Sequence, residues 1–497
     1  MINYIFLGSP YNNSWVEVTK KLFKNKIADP VIWFGHDRHY LDAKKIFGER
    51  AIEDFQLRHR PHNMVDTKYS GENNEFFNSI NYLRAKDTCL KLMDRLDIYG
   101  QFKRTDREVY FHQLCIFFLK KIEETDPCIL IAAEAPHDHP RYIIYEIARY
   151  LNIPCYKFNN WTLLPLLSFQ NLNTGEFTKT NIDIKKEKKY KTFEQTLKHY
   201  IDSVKKESYE IEYMKNQREN RGFSKIIKKK TSVNFLNDSK HNLANFIRGI
   251  YNPINPHSLN LFTRWKILSK NKNILSKKLR LNVSIPNLNE KYVYFPLHFE
   301  PERSSTPDGG DYHDQFKALC VIRRLVPKEY KIYVKEHPSQ LYFSQKGGRS
   351  RSPLIYSLIK NVESTYLIDS NYDSKQLILN SECVFTITGT VALESSILGK
   401  IAVSFGPAIW YKGCPNIINF SDKLTFKDIM SNKIKSPQSV LRFFMDQMKS
   451  YSIPGIMNYS QKMYFSKFDR SEFIALQEEN IYNFLKGFFK IYNHKNG

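Results

Sequence analysis

Cysteine is scarce in this chain, long apolar runs are missing, and acid is in deficit. Seven cysteines are scattered through 497 residues. Their number is odd and none forms a CxxC pair, which argues against a disulfide framework. Cys89, Cys115, Cys128, Cys155, Cys320 and Cys383 sit among apolar neighbours in the sequence and are expected as reduced core residues of a cytoplasmic protein. No apolar run reaches about 18 residues, so no transmembrane helix is expected. The opening Met1–Gly8 has neither a basic leader nor a cleavage site and reads as a first strand, not a signal peptide. There is no short-period repeat. None of the known nucleic-acid recognition signatures is found, so no nucleic-acid partner is expected.

What is present is basic charge. Lys and Arg total 75 against 51 Asp and Glu, a net charge of +24, which calls for an anionic partner. The length implies two or three domains. Residues 1–169 alternate strand and helix signals: strands at Ile2–Leu7, Pro30–Phe34, Cys128–Ala133 and Pro154–Phe158, helices at Ser14–Phe23, Phe76–Leu96, Arg107–Glu124 and Arg141–Leu151. That rhythm predicts a parallel sheet covered on both faces. Residues 170–285 form a basic, mainly helical insert or linker, with Lys185–Lys191, Lys225–Lys230 and the mixed segment Trp265–Leu281. The segment is either solvated or docked on an anionic inner-membrane surface, with Trp265, Ile267, Leu268, Ile274 and Leu275 available for shallow insertion. Residues 286–436 repeat the α/β rhythm, and 437–497 read as helices that can pack back on the first domain. The fold class expected is α/β, with two facing Rossmann-like domains and a cleft between them.

Polar clusters follow the strands expected in the second α/β region. Tyr292–Leu297 runs into His298, Glu300, Glu302 and Arg303, then Gly309 and Gly310. Tyr330–Val334 ends in Lys335-Glu336-His337-Pro338. Cys383–Ile387 ends in Thr388-Gly389-Thr390 before the helix Val391–Leu398, and Ile401–Phe405 ends in Gly406-Pro407. Ligands of open α/β sheets bind beyond the carboxyl ends of the strands, so these clusters would share one edge suited to a phosphorylated ligand. Thr388, Gly389 and Thr390 offer a tight turn with helix-start amides for a phosphate, although the same residues also make an ordinary helix start. Glu394, one turn on, can reach a sugar hydroxyl or face solvent. Pro338 biases His337 toward an extended backbone, aiming its imidazole at the ligand as a protonated or hydrogen-bonding group. Arg303 can grip a phosphate or carboxylate in bidentate fashion, and Glu300, Gly309 and Gly310 bring the loop close to the ligand; a solvated charged loop is the alternative.

In the first region, Glu134 ends the buried strand Cys128–Ala133 and is the candidate acid, base or nucleophile, its pKa open to being raised by burial. His137-Asp138-His139 lacks a third ligand at known spacing, so no metal site is expected. His137 and His139 are acceptor contacts or surface groups, and Ser9 lines the same edge. No cofactor is called for.

Tyr294–Arg303, Lys335–Gln340, Thr388–Thr390 and Trp410–Pro415 resemble the bacterial capsule polysaccharide biosynthesis family, which includes β-Kdo transferases of capsule and lipopolysaccharide assembly. The likeness is dense over 290–416 and also takes in Glu134-Ala135-Pro136-His137. It implies a GT-B glycosyltransferase that uses a CMP-activated 2-keto sugar acid and a glycan or glycolipid acceptor. By the same resemblance His337 contacts the donor phosphate, Thr388–Thr390 hold it, and Glu134 is the catalytic carboxylate of a single active site. Two other classes remain open: a CDP-polyol or glycerol-phosphate transferase, separable by product linkage, and a non-catalytic polysaccharide- or membrane-binding assembly protein.

Overall fold

A computed structural model describes residues 1–9, 14–59, 74–97, 102–161, 163–180, 190–206, 212–219, 261–342, 347, 350–406, 411–457 and 470–496. Pro10, Pro407 and Trp410 lie outside them, as do Lys225–Lys230 and the side chains of Lys185–Lys191 and Trp265. The chain divides into two compact units. The first is Met1–Met93, Lys103–Lys198 and Phe444–Gly497; the second is Asp94–Phe102 and His199–Phe443.

The first unit is built on β1 (Ile2–Leu7), β2 (Ala28–Gly35), β3 (Ala51–Glu53), β4 (Ile129–Ala132), β5 (Cys155–Asn160) and β6 (Leu166–Asn171). A late strand, Ser452–Pro454, is β14 once the seven strands of the second unit are counted. The sheet order is β14-β6-β5-β4-β1-β2-β3. The strands from β5 to β3 run parallel. The wholly parallel sheet expected from the sequence is corrected at its other end, where β6 pairs antiparallel with β5 and with β14. The cause is local: only Trp161–Pro165 separates β5 from β6, too short for a crossover, so the pair closes as a hairpin. β6 also runs across the boundary placed at residue 169. β14 interrupts a segment read as helices alone, and its three residues are too few to show a period. The helix Ser14–Lys24 buries Trp15, Val18 and Leu22, spaced three and four apart, against this sheet. The final helix, Arg470–Asn496, adds Ile481, Phe484, Leu485 and Phe489 to the same core.

The second unit carries β7 (Val283–Ser284), β8 (Tyr292–Pro296), β9 (Lys331–Lys335), β10 (Thr365–Ile368), β11 (Cys383–Thr386), β12 (Ile401–Ser404) and β13 (Ile417–Asn419). They form one parallel sheet in the order β13-β12-β11-β8-β9-β10-β7. Helices such as Gln315–Leu325 supply its core with Ala318, Leu319 and Ile322. The helix Leu261–Arg280 contributes Leu275 and Leu279, both fully buried. Leu275 is therefore a core residue, which removes it from the set expected to insert into lipid. Two cysteine expectations are also corrected: Cys128 and Cys320 are exposed, while the other five are buried. Both chain units are thus Rossmann-like α/β structures with parallel-rich sheets.

Candidate functional site

Because β8, β9, β11 and β12 are parallel neighbours, the loops leaving their carboxyl ends meet at one edge of the second unit. Its centre is His298, directly after β8 and buried. His298 Nε2 accepts the Thr388 amide at 3.3 Å and lies 3.2 Å from Thr386 Oγ1. With Nε2 an acceptor, the ring proton of the neutral imidazole sits on Nδ1, 3.5 Å from Ser304 Oγ. Burial holds His298 down to about 4; Glu300 opposes the shift and Arg351 adds to it.

The Thr-Gly-Thr turn is braced from several sides. The Gly389 amide donates to Thr386 Oγ1 at 3.1 Å, the Thr388 hydroxyl donates to the Ser304 carbonyl at 2.5 Å, and the Tyr411 hydroxyl donates to the Gly389 carbonyl at 2.7 Å. Two of the amides expected to be open to a phosphate are thus engaged within the protein, which leaves the helix-start donors to Thr390 and beyond. A Cβ on Gly389 would come within 2.8 Å of Thr386 Oγ1, and one on Gly406 within 2.2 Å of Thr388 Cγ2, so both positions require glycine for packing. Thr390 does not cap its helix; its hydroxyl reaches Glu394 Oε1 at 3.3 Å. Glu394 is half-buried, and desolvation pushes its carboxyl up to about 7, against the Thr390 bond and the charge of Lys335. Lys335, the last residue of β9, is buried with Nζ on Ser374 Oγ at 2.6 Å. Burial holds Lys335 down to about 8, with Asp373, Asp369 and Glu394 pulling the other way. A raised carboxyl pKa at Glu394 and a lowered ammonium pKa at Lys335 therefore act on one another.

His337 follows in an extended conformation, φ −66° and ψ 126°. Its backbone N–H donates to Glu336 Oε1 at 2.7 Å, and its Nδ1 accepts the Ser339 amide at 3.2 Å. Burial, reinforced by His298, Lys335 and Arg351, holds its pKa down to about 3. His337 is therefore a neutral imidazole with its proton on Nε2, a hydrogen-bond donor rather than the imidazolium entertained from the sequence. Glu336 is locked in turn by Arg351 Nε at 3.1 Å and by the Tyr356 hydroxyl at 2.8 Å, and Arg351 also donates to the His298 carbonyl at 2.5 Å.

The charged loop is held from within. Glu300 is buried and accepts from Gln315 Nε2 at 2.8 Å, while Gln340 brackets its backbone at 2.8 and 2.9 Å. Its carboxylate ties the loop to the helix Gln315–Leu325. Gly309 packs where a Cβ would lie 2.5 Å from the Ser305 carbonyl, and Gly310 takes φ +56°, so these glycines serve the turn. Arg303 is half-buried, with Nε 3.8 Å from Asp308 Oδ2.

The first unit has its own strand-end edge. Glu134 is buried, with Oε2 3.8 Å from His137 Nδ1, and that nitrogen donates to the Ala135 carbonyl at 2.9 Å. Ser9 is buried just beyond β1. His139, expected at the surface or as an acceptor contact, is instead buried with Nε2 on the Leu57 carbonyl at 3.3 Å, and burial holds it down to about 4. Its neighbour Arg141 is also buried and ties the edge together through Asp54 at 2.9 Å, Asp138, and the Gly8 carbonyl at 2.9 Å.

The structure thus brings Thr388, Gly389, Thr390, Glu394 and His337 to one edge. It sets Glu300, Gly309 and Gly310 into the supporting loop and leaves Arg303 half-buried near Asp308. His298, Lys335, Gln315 and Gln340 had no role in the site assigned from the sequence, and Arg351 was not named there. The strand-end rule points to His298 and Lys335, whereas Arg351, Gln315 and Gln340 carry no signal in periodicity or spacing.

No protein-family model and no curated protein sequence matches the chain. Among solved structures it is similar to the UDP-GlcNAc 2-epimerase of Methanocaldococcus jannaschii, with 13% identity and a TM-score of 0.24 over 90% of this chain and 99% of that one. It is also similar to the β-Kdo 2,7 transferase KpsC of Thermosulfurimonas dismutans, with 13% identity and a TM-score of 0.26 over 70% of this chain and 86% of the other. The corresponding β-Kdo 2,4 transferase gives 12% identity and a TM-score of 0.25 over 67% and 86%.

Proposed function

We propose that this protein is a glycosyltransferase of capsule or lipopolysaccharide assembly. In this reading it transfers Kdo or a related 2-keto sugar acid from a CMP-activated donor to a glycan or glycolipid, working in the cytoplasm at the inner membrane. The observation that carries the reading is the neutral, pre-oriented His337 and the braced Thr-Gly-Thr turn, both at the carboxyl ends of strands of one parallel sheet. Its Nδ1 is occupied by the Ser339 amide, so Nε2–H is the group left to donate. Transfer breaks the bond between the anomeric carbon and the phosphate oxygen, and the electron pair leaves with CMP. A fixed donor at that oxygen is worth most as its charge develops. His337 fills this role, Thr390 and the helix start hold the phosphate, and Glu394 takes a donor hydroxyl. Glu134 is the carboxylate assigned to the sugar. It acts as base toward the acceptor hydroxyl if configuration inverts, or as nucleophile forming a glycosyl intermediate if it is retained. The test is release of CMP from a CMP-linked 2-keto sugar acid in the presence of a glycan acceptor, with loss of that release in Glu134→Gln.

A further inference from the structure

The helix Leu261–Arg280 has two faces. One carries Leu275 and Leu279 into the core of the second unit. The other shows Lys266, Lys270, Ile274, Lys277 and Leu281, three or four residues apart and all exposed. Leu281 prolongs this stripe because its amide still bonds the Lys277 carbonyl, at 3.2 Å. No Asp or Glu occurs between Asp238 and Glu290, so nothing within this stretch of sequence offsets the lysines. The helix packs against Ile355–Lys360. That neighbour carries Leu358 at 45% exposure, follows its N-cap Leu354 at 69%, and ends in the exposed Lys360. Downstream lies the edge strand β7, and the next residue, Ile285, is 95% exposed.

Single exposed leucines are ordinary on a soluble protein. Several on two packed helices and the adjoining sheet edge, interleaved with lysines, are a patch that needs a partner. A nucleic acid would satisfy the cations and leave the leucines in water. An apolar protein groove would cover the leucines and desolvate the lysines. The headgroup layer of an acidic bilayer satisfies both, with phosphate for the ammonium groups and the acyl boundary for the apolar side chains. We propose that this face docks on an anionic phospholipid bilayer, with Ile274, Leu281, Leu354 and Leu358 at the acyl boundary and the lysines on the phosphates. The surface bears on the membrane partner of the proposed function and is independent of the donor chemistry.

Cosedimentation of the full chain with extruded vesicles tests it. Vesicles of phosphatidylcholine with about one-third phosphatidylglycerol should bind, pure phosphatidylcholine should not, and added salt should weaken binding as screening shortens to about 8 Å. The variant K266E/K270E/K277E should lose about a hundredfold in partitioning. The variant L354S/L358S should keep its salt dependence and lose about tenfold. Both should match the parent in circular dichroism and thermal midpoint, since the altered side chains are exposed. Equal binding to neutral and acidic vesicles overturns the proposal, as does either variant binding like the parent. Binding to heparin as tight as to vesicles, with L354S/L358S indistinguishable from the parent on both, identifies a general polyanion site and overturns it too. CMP release with a soluble acceptor should be unchanged in both variants. A protein that binds acidic vesicles and releases no CMP refutes the assigned reaction while supporting the surface.

Discussion

Lowering the pH should loosen the Thr-Gly-Thr turn through His298, and the size of the effect follows from its surroundings. In the folded chain His298 stays neutral down to about 4. In the unfolded chain it takes up a proton near the ordinary value of about 6.5. Between those limits the unfolded state binds more protons, so stability falls as pH falls; above about 6.5 the contribution is complete. The slope is about 1.4 kcal/mol per pH unit, giving about 2 kcal/mol by pH 5 and about 3 kcal/mol by pH 4. Protonation would also abolish the acceptor for the Thr388 amide, so the loss falls on the turn itself. His298→Gln removes the titration and keeps an amide oxygen in its place. At pH 7.5 the variant should be less stable by about 1–3 kcal/mol, the cost of an imperfectly replaced buried bond. At pH 5 that gap should shrink by about 2 kcal/mol, because only the parent is penalised by acid. Other titrating groups are common to both proteins and cancel. Hydrogen exchange of peptides spanning Cys383–Ile397, measured in both proteins at the two pH values, reads the difference. A gap that stays constant with pH would refute the assignment of His298 as a buried neutral acceptor.

Three further outcomes are expected. His337→Ala should lower CMP release by about a hundredfold, the scale of losing one fixed donor, with the thermal midpoint near the parent's because the residue sits on a turn. Gly406→Ala places a Cβ where Thr388 Cγ2, the Ile387 carbonyl and the Asp308 carbonyl lie at 2.2, 3.0 and 3.1 Å; it should displace the turn and raise the KM for donor about tenfold, read by initial rates. Leu275→Ala should cost about 2–5 kcal/mol in denaturant unfolding, while Ile274→Ala, on the outer face of the same helix, should stay within about 0.5 kcal/mol.

The strands that the sequence shows well are the ones with continuous apolar runs. Ile2–Leu7 and Cys383–Thr386 are buried along most of their length and stand out as parallel-sheet strands. β14 has three residues, and β6 comes after a tight turn, so neither displays a period long enough to recognise. The strand-end rule found His337 and the Thr-Gly-Thr turn because it depends only on where apolar runs stop. It could not say which end residues face a ligand and which brace the loop. Glu300 turned out to be a brace because Gln315 and Gln340, 15 and 40 residues further on, close around it. Contacts at such separations leave no mark on local sequence. The same holds for Arg351, which reaches Glu336 and the His298 carbonyl from a stretch with no regular pattern. The helix Leu261–Arg280 was legible as basic and mixed, but which of its apolar residues enter the core depended on where the sheet lay.

The most direct measurement is nucleotide release from defined donors. The full chain is incubated with a CMP-linked 2-keto sugar acid, with CDP-linked polyols, and with a glycan acceptor, and the products are resolved by mass spectrometry. The account predicts acceptor-dependent release of CMP from the CMP-linked donor, a glycosidic product, and loss of both in Glu134→Gln and His337→Ala. A phosphodiester product from the CDP-linked donor, or no CMP released from any CMP-linked sugar, would contradict it.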